Sequence, residues 1–217
     1  RDCLLSRGLG DVYKRQDYRH GLIEFTGYDS FKVLSNGIGG QSFLGLSDMY
    51  LADDETLWFT DSGRSSYSNP IGRVYCRSSN GTVNLLLDCV PYSNGICLSH
   101  DGNTVYVAAT RANQVWQFSS MLPKAGQPMV GTFLQLSGGL GPDGLATNSL
   151  GWLAVAQAQA GRSYLFDKVG DIIAEIRLPT GLWTTSVAFH PNDDRLLYII
   201  DAQHASVFSC KIPVRVG

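Results

Sequence analysis

Three side chains that carry oxygen atoms stand at matching places in a repeated sequence pattern. Asp48, Asn94 and Asp143 each precede a short apolar segment, and about 40–50 residues separate one from the next. Hydroxyl groups occupy the same places, at Ser47, Ser93, Thr185 and Ser186. Carboxylate, amide and hydroxyl oxygens are the ligands that Ca²⁺ and Mg²⁺ prefer in proteins. If the fold brings these positions together, they can bind a divalent cation.

The repeats indicate which elements position these residues. Four related segments begin at Asp48, Asn94, Asp143 and Ser186, and each continues into a second and a third strand-like segment. The first three repeats also contain a fourth strand-like segment. Four antiparallel strands in a repeat of this length are typical of a β-propeller blade. Residues 21–25 and 31–35 fit the outer two strands of an earlier blade, so the sequence predicts an all-β propeller with about four and a half blades.

In a propeller, the starts of the innermost strands converge on a central channel. This geometry predicts that Ser47, Asp48, Asn94 and Asp143 meet at one channel mouth. An alternative is that Asn94-Gly95 and Asp143-Gly144 are ordinary turns, since both dipeptides favour turns. Their matching positions in the repeats favour the channel site.

Composition narrows the class of protein. The 217 residues are 44% hydrophobic and 17% charged, with a formal net charge of -2 and no basic run, which excludes a typical nucleic-acid binder. No apolar segment reaches the roughly 18 residues that cross a bilayer, and no signal peptide is visible. The five cysteines lack paired spacing, so we expect free thiols and a cytoplasmic location.

The first sixteen residues differ from the rest of the chain. They contain four of the basic side chains and none of the repeat pattern. We therefore interpret residues 1–16 as a non-native or disordered segment and residues 17–217 as one partial propeller domain.

Three segments together resemble a known family. They are residues 93–108, 141–157 and 184–199, and their order and spacing are similar to those of the gluconolactonase, senescence-marker-protein and luciferin-regenerating-enzyme family. The resemblance implies a six-bladed propeller that holds one divalent metal, with Ca²⁺ expected and Mg²⁺ or Zn²⁺ as alternatives. It also implies a hydrolase that opens small sugar-like lactones or related carboxylic esters.

The resemblance assigns roles to particular residues. It makes Asn94 and Asp143 metal ligands, and Asp143 also the catalytic residue that activates water. Ser47 and Asp48 fall where the family contacts its substrate, although Ser47 replaces an asparagine. A further metal ligand of the family, a glutamate in the first blade, matches no residue here. The resemblance therefore implies an active full-length parent and an inactive fragment.

Other interpretations remain open at the level of sequence. Asp61 and Arg64 follow a strand near the predicted channel and are candidate substrate contacts. A non-catalytic propeller that serves as a scaffold would share the same blades, and so would a propeller similar to strictosidine synthase. The sequence does not indicate an oligomeric state.

Overall fold

Short antiparallel strands account for almost all of the regular structure. The computed structural model describes residues 13–17, 20–27, 30–123 and 126–213. The first sheet contains β1 (Tyr13–Asp17), β2 (Gly21–Gly27) and β3 (Ser30–Ser35), and a small hairpin of β4 (Gly37–Ile38) and β5 (Gln41–Ser42) follows it. Residues 13–16 of β1 belong to the segment 1–16 that the sequence analysis separates from the domain, whereas residues 1–12 lie outside the described residues.

Three four-stranded sheets come next in chain order. Their strands are β6 (Leu46–Leu51), β7 (Leu57–Asp61), β8 (Gly72–Arg77) and β9 (Val83–Val90); β10 (Ser93–Leu98), β11 (Thr104–Ala109), β12 (Gln114–Ser119) and β13 (Gly131–Gln135); and β14 (Gly141–Thr147), β15 (Leu153–Ala158), β16 (Arg162–Phe166) and β17 (Ile172–Arg177). One 3₁₀ turn, Thr110–Ala112, follows β11. Each sheet keeps the order of its strands in the chain.

The last sheet has three strands. It consists of β18 (Thr184–His190), β19 (Asp193–Asp201) and β20 (Ser206–Lys211). The first strands of successive sheets contact one another, β6 with β10, β10 with β14 and β14 with β18. This arrangement of four-stranded units around a shared line of inner strands confirms the prediction of an all-β chain built from propeller blades.

The core lies between consecutive sheets. Strand β15 shows why, because alternate residues of a strand point to opposite faces. Leu153 and Val155 pack with residues of the preceding sheet, whereas Ala154 and Ala156 pack with Val187 of the following sheet. Every residue of β15 is buried, as expected for a strand covered on both sides.

Turn chemistry explains several connections within the blades. Gly81 and Gly170 have φ angles of 93° and 94°, which glycine adopts without strain, and they lie in the turns before the fourth strands β9 and β17.

None of the described residues forms a helix that could span a lipid bilayer.

Candidate active site

Irregular strand pairing places the predicted site residues at one end of the inner strands. Strand β10 loses its register with β11 between Ser93 and Ile96, and β14 loses its register with β15 between Pro142 and Leu145. A β-bulge of this kind leaves residues outside the hydrogen-bond ladder and changes the direction of their side chains. Asn94 and Asp143 are such bulge residues.

Equivalent irregularities occur in the two flanking blades. Strand β6 shifts against β7 between Leu46 and Met49, which frees Ser47 and Asp48, and β18 shifts between Thr184 and Ser186. Four successive inner strands therefore bulge at the same level. The turn interpretation of Asn94-Gly95 and Asp143-Gly144 is wrong, since both dipeptides lie inside strands.

Glycines allow the bulged strands to approach closely. A Cβ atom on Gly95 would lie 2.1 Å from the backbone oxygen of Asp143, and one on Gly144 would lie 2.9 Å from Ser186 Cα. Side chains cannot fit at these distances. Gly95 and Gly144 are therefore required by the contact with the next blade rather than by a turn.

Hydrogen bonds connect the site residues of neighbouring blades. Ser47 Oγ donates to Asn94 Oδ1 at 2.7 Å, and the backbone N–H of Ile96 donates to Asp48 Oδ2 at 3.1 Å. A hydrogen bond also joins the side chains of Asn94 and Asp143. The structure thus brings Ser47, Asp48, Asn94 and Asp143 together, as the repeat positions predict.

The two carboxyl groups of this cluster resist ionisation. Burial and, to a lesser extent, the nearby charge of Asp48 together raise the pKa of Asp143 to about 7, against the opposing effect of a hydrogen bond with Asn94. Burial likewise raises the pKa of Asp48 to about 7, against the hydrogen bonds from the N–H groups of Ile96 and Met49. Two like charges in a poorly solvated place disfavour each other's ionised form.

This donor set fits a hard cation. Asp143 offers carboxylate oxygens, Asn94 offers an amide oxygen, and Asp48 adds a second negative charge nearby. A divalent cation would supply the positive charge that these buried carboxylates lack. Within the described ranges, no group of three or more His, Cys, Asp or Glu side chains is arranged to hold a metal. A cation held by the described residues alone would therefore need amide or hydroxyl oxygens in addition to carboxylates.

Asp61 supports a loop beside the site. Its side chain is fully buried, and its carboxylate accepts hydrogen bonds from Leu44 N at 2.9 Å and Gly45 N at 2.6 Å. Burial raises the pKa of Asp61, and these N–H groups lower it. Arg64, in the loop after β7, is exposed. Substrate contacts of Asp61 and Arg64 stay predictions, and the observed role of Asp61 is to hold residues 44–45.

Thr60 is a site-supporting residue that sequence reasoning missed. Its buried hydroxyl donates to the backbone oxygen of Asn94 at 2.6 Å and accepts from the N–H of Asp48 at 3.0 Å. It therefore ties two bulges from neighbouring blades. A threonine near the end of a strand gives no sequence signal for such a contact.

Curated relatives of known name match this chain in part. A 6-deoxy-6-sulfogluconolactonase of Pseudomonas putida is 36% identical over 118 residues, which cover 52% of this chain and 39% of that protein. Lactonase drp35 of Staphylococcus aureus (strain USA300) is 32% identical over 161 residues, which cover 69% of this chain and 49% of that protein. The chain thus spans about half the length of these relatives, or less.

A solved structure supports the same fold. Regucalcin from Agrobacterium tumefaciens strain C58, described as a calcium-binding protein, aligns with a TM-score of 0.76 at 23% sequence identity. The alignment covers 94% of this chain and 73% of that one. The family model of the SMP-30/gluconolactonase/LRE-like region matches residues 17–203. The chain belongs to the SMP-30/gluconolactonase/LRE-like family.

Proposed function

We propose that the full-length protein is a metal-dependent hydrolase of small, sugar-like lactones or related esters. The observation that carries this proposal is the cluster of Asp143, Asn94 and Asp48, in which a carboxyl group with a pKa of about 7 lies beside an amide oxygen and a second carboxylate. Relatives named as lactonases support the substrate class.

Asn94 and Asp143 are the proposed metal ligands. When bound, the cation would polarise the substrate carbonyl and stabilise the negative charge that develops on its oxygen. Ser47 orients the Asn94 amide, because its hydroxyl donates to Oδ1 and leaves the oxygen's other lone pair for the cation. Ca²⁺ is the proposed cation because every donor is an oxygen, and Mg²⁺ and Zn²⁺ are the alternatives.

Asp143 is the proposed proton acceptor for water. Only the ionised carboxylate can accept a proton, and without metal the pKa of Asp143 lies at about 7, so the group is then only partly ionised at neutral pH. Bound metal would lower this pKa, so the carboxylate would be ionised in the loaded site. We propose a positioning role for Asp48, because its carboxylate oxygens accept hydrogen bonds from the backbone N–H groups of Met49 and Ile96.

We also propose that the 217-residue chain alone is inactive. It spans 39% and 49% of the two lactonase relatives. Two proposed ligands form too small a set for tight calcium binding, which takes six to eight oxygens. Activity should therefore appear only in the longer parent, which is the protein to assay.

The test is calcium titration of the full-length parent by calorimetry, together with a gluconolactone hydrolysis assay. Asn94→Ala and Asp143→Ala should each abolish calcium binding and lower kcat/KM by at least a factor of about 100. Asn80→Ala and Asp54→Ala, in exposed turns, are matched controls and should behave like the parent. If the unmutated parent neither binds calcium nor hydrolyses the lactone, a non-catalytic propeller becomes the better interpretation.

A further inference from the structure

A second polar group lies at the same end of the inner strands as the proposed metal site. Strand β18 begins at Thr184, and the backbone oxygen of Thr185 lies 2.9 Å from where a Cβ atom of Gly144 would be. Thr184 pairs with Asp201, the last residue of β19. The turn after Asp201, residues 202–205, is therefore on the side of the blade where Asp143 lies.

A buried carboxylate fixes a histidine in this turn. The Asp201 side chain is fully buried, and its Oδ2 lies 2.8 Å from Nδ1 of His204, whose side chain is 48% exposed. Burial raises the pKa of Asp201, but hydrogen bonds from the His204 ring and from the N–H groups of Gln203 and His204 bring it below its ordinary value. A proton on Nδ1 can be donated to this carboxylate, and in that tautomer Nε2 is the ring's acceptor.

An aromatic residue is attached to the same turn. The N–H of Ala202 donates to the backbone oxygen of Trp183 at 2.8 Å, and Gln203 Oε1 accepts the N–H of Leu182 at 2.9 Å. Trp183 and Leu182 are exposed by 39% and 56% although both are large and apolar. We call Leu182, Trp183 and His204 the mouth patch. It combines an apolar surface, an indole ring and one oriented polar group, which is the usual composition of a small-molecule site.

We propose that the mouth patch recognises the hydroxylated ring of the substrate, with the apolar C–H face of a sugar against Trp183 and a sugar hydroxyl donating to Nε2 of His204. This inference rests on the proposed function, because it places the reacting carbonyl at the Asp143 cluster and the rest of the sugar on the last sheet, which contains β18, β19 and β20. Leu182 supplies further apolar contact. Trp183 and His204 are specificity-determining residues in this scheme, and neither takes part in proton transfer.

The proposal predicts a loss that depends on the hydroxyl groups of the substrate. In the full-length parent, Trp183→Ala and His204→Ala should each raise KM for gluconolactone at least fivefold with little change in kcat. KM for δ-valerolactone, a ring of the same size without hydroxyl groups, should be unchanged in His204→Ala. Trp183→Phe keeps an aromatic face and should restore most of the affinity.

Matched controls lie at the opposite end of the same blades. His190 ends β18, and Leu150 lies in the exposed turn after β14; alanine at either position should leave both KM values unchanged. Equal KM values for gluconolactone in the parent and in both mouth-patch variants would overturn the proposal while leaving the lactonase function intact.

A binding measurement separates the two hypotheses. If the parent hydrolyses neither lactone, the proposed function fails, and the mouth patch is tested by calorimetric titration with gluconate, a readout that does not depend on the Trp183 indole. Gluconate binding that weakens at least fivefold in both alanine variants supports a sugar-acid site at the mouth patch. Absent binding, or binding equal in the parent and the variants, overturns it.

Discussion

Two carboxyl groups with high pKa values make the site a source of instability unless a cation is bound. Asp48 and Asp143 both titrate at about 7, compared with an ordinary value of 3.8. The folded protein therefore holds more protons than the unfolded chain between these pH values. Folding stability from these groups is fully present below pH 3.8 and is lost as the pH rises through about 7.

This linkage predicts a difference between the parent and a neutral variant. In calcium-free buffer, the free energy of unfolding should fall more between pH 5 and pH 8 in the unmutated protein than in Asp143→Asn, as measured by urea denaturation. Asp54→Asn, an exposed turn carboxylate, should keep the full dependence. Calcium should stabilise the full-length parent more at pH 8 than at pH 5, because protons compete with the cation. An identical pH dependence in Asp143→Asn would contradict the assignment.

Asp61 allows a second prediction at the scale of one residue. Asp61→Ala should lower the free energy of unfolding by about 1–3 kcal/mol, because the N–H groups of Leu44 and Gly45 would lose their acceptor. Thermal unfolding measures this change. Asp54→Ala also removes an acceptor, but from an exposed turn, and it should cost much less. If both variants lost the same free energy of unfolding, burial of the Asp61 hydrogen bonds would not contribute to stability.

At the scale of elements, the bulges were the part that the sequence did not reveal. Strand spacing and the third and fourth strands could be predicted, because alternation and turn residues are local signals. The dipeptides Asn94-Gly95 and Asp143-Gly144 have the local signal of a turn, yet both lie in strands. Their glycines are needed because the backbone of a neighbouring blade, about 50 residues away in sequence, lies against them. A contact over that sequence distance leaves no local pattern.

The close contact between β10 and β14 at Gly95 can be tested directly. Gly95→Ala should lower the free energy of unfolding by at least about 1–3 kcal/mol, since its Cβ would meet the Asp143 backbone oxygen at 2.1 Å. Gly131→Ala is a matched control, because Gly131 is also in a strand and a Cβ there has no atom within 4 Å. Chemical denaturation of both variants makes the comparison. A Gly95→Ala protein as stable as Gly131→Ala would contradict the close contact.

On the scale of the whole molecule, threonine hydroxyls join consecutive blades. Thr110 Oγ1 donates to the Pro142 oxygen at 2.7 Å, and Thr147 Oγ1 donates to the Leu98 oxygen at 2.6 Å. Together with Thr60, these bonds satisfy backbone oxygens of inner strands beside the apolar clusters. The blades are therefore held by directed contacts as well as by buried apolar surface.

Removal of one such hydroxyl should weaken the whole assembly. Thr110→Val keeps the shape of the side chain but leaves the buried Pro142 oxygen without its donor, so we expect a loss of about 1–3 kcal/mol in the free energy of unfolding. Thr132→Val, on an exposed strand position, should be neutral within about 0.5 kcal/mol. Calorimetry should show one transition in both proteins. Equal stability of the two variants would mean that the hydroxyl bond adds nothing to blade association.

The bulges have a consequence for how this architecture changes over evolutionary time. A bulge residue makes no hydrogen bond in the strand ladder, so its side chain can be replaced without disturbing the strand pairing of the blade. Ser47, a position where the family resemblance implies an asparagine, would be such an exchange. The bulges of β6, β10, β14 and β18 thus present side chains to the channel that lie outside the strand ladder. A lineage can in this way acquire new substrates by single substitutions while it inherits its scaffold unchanged.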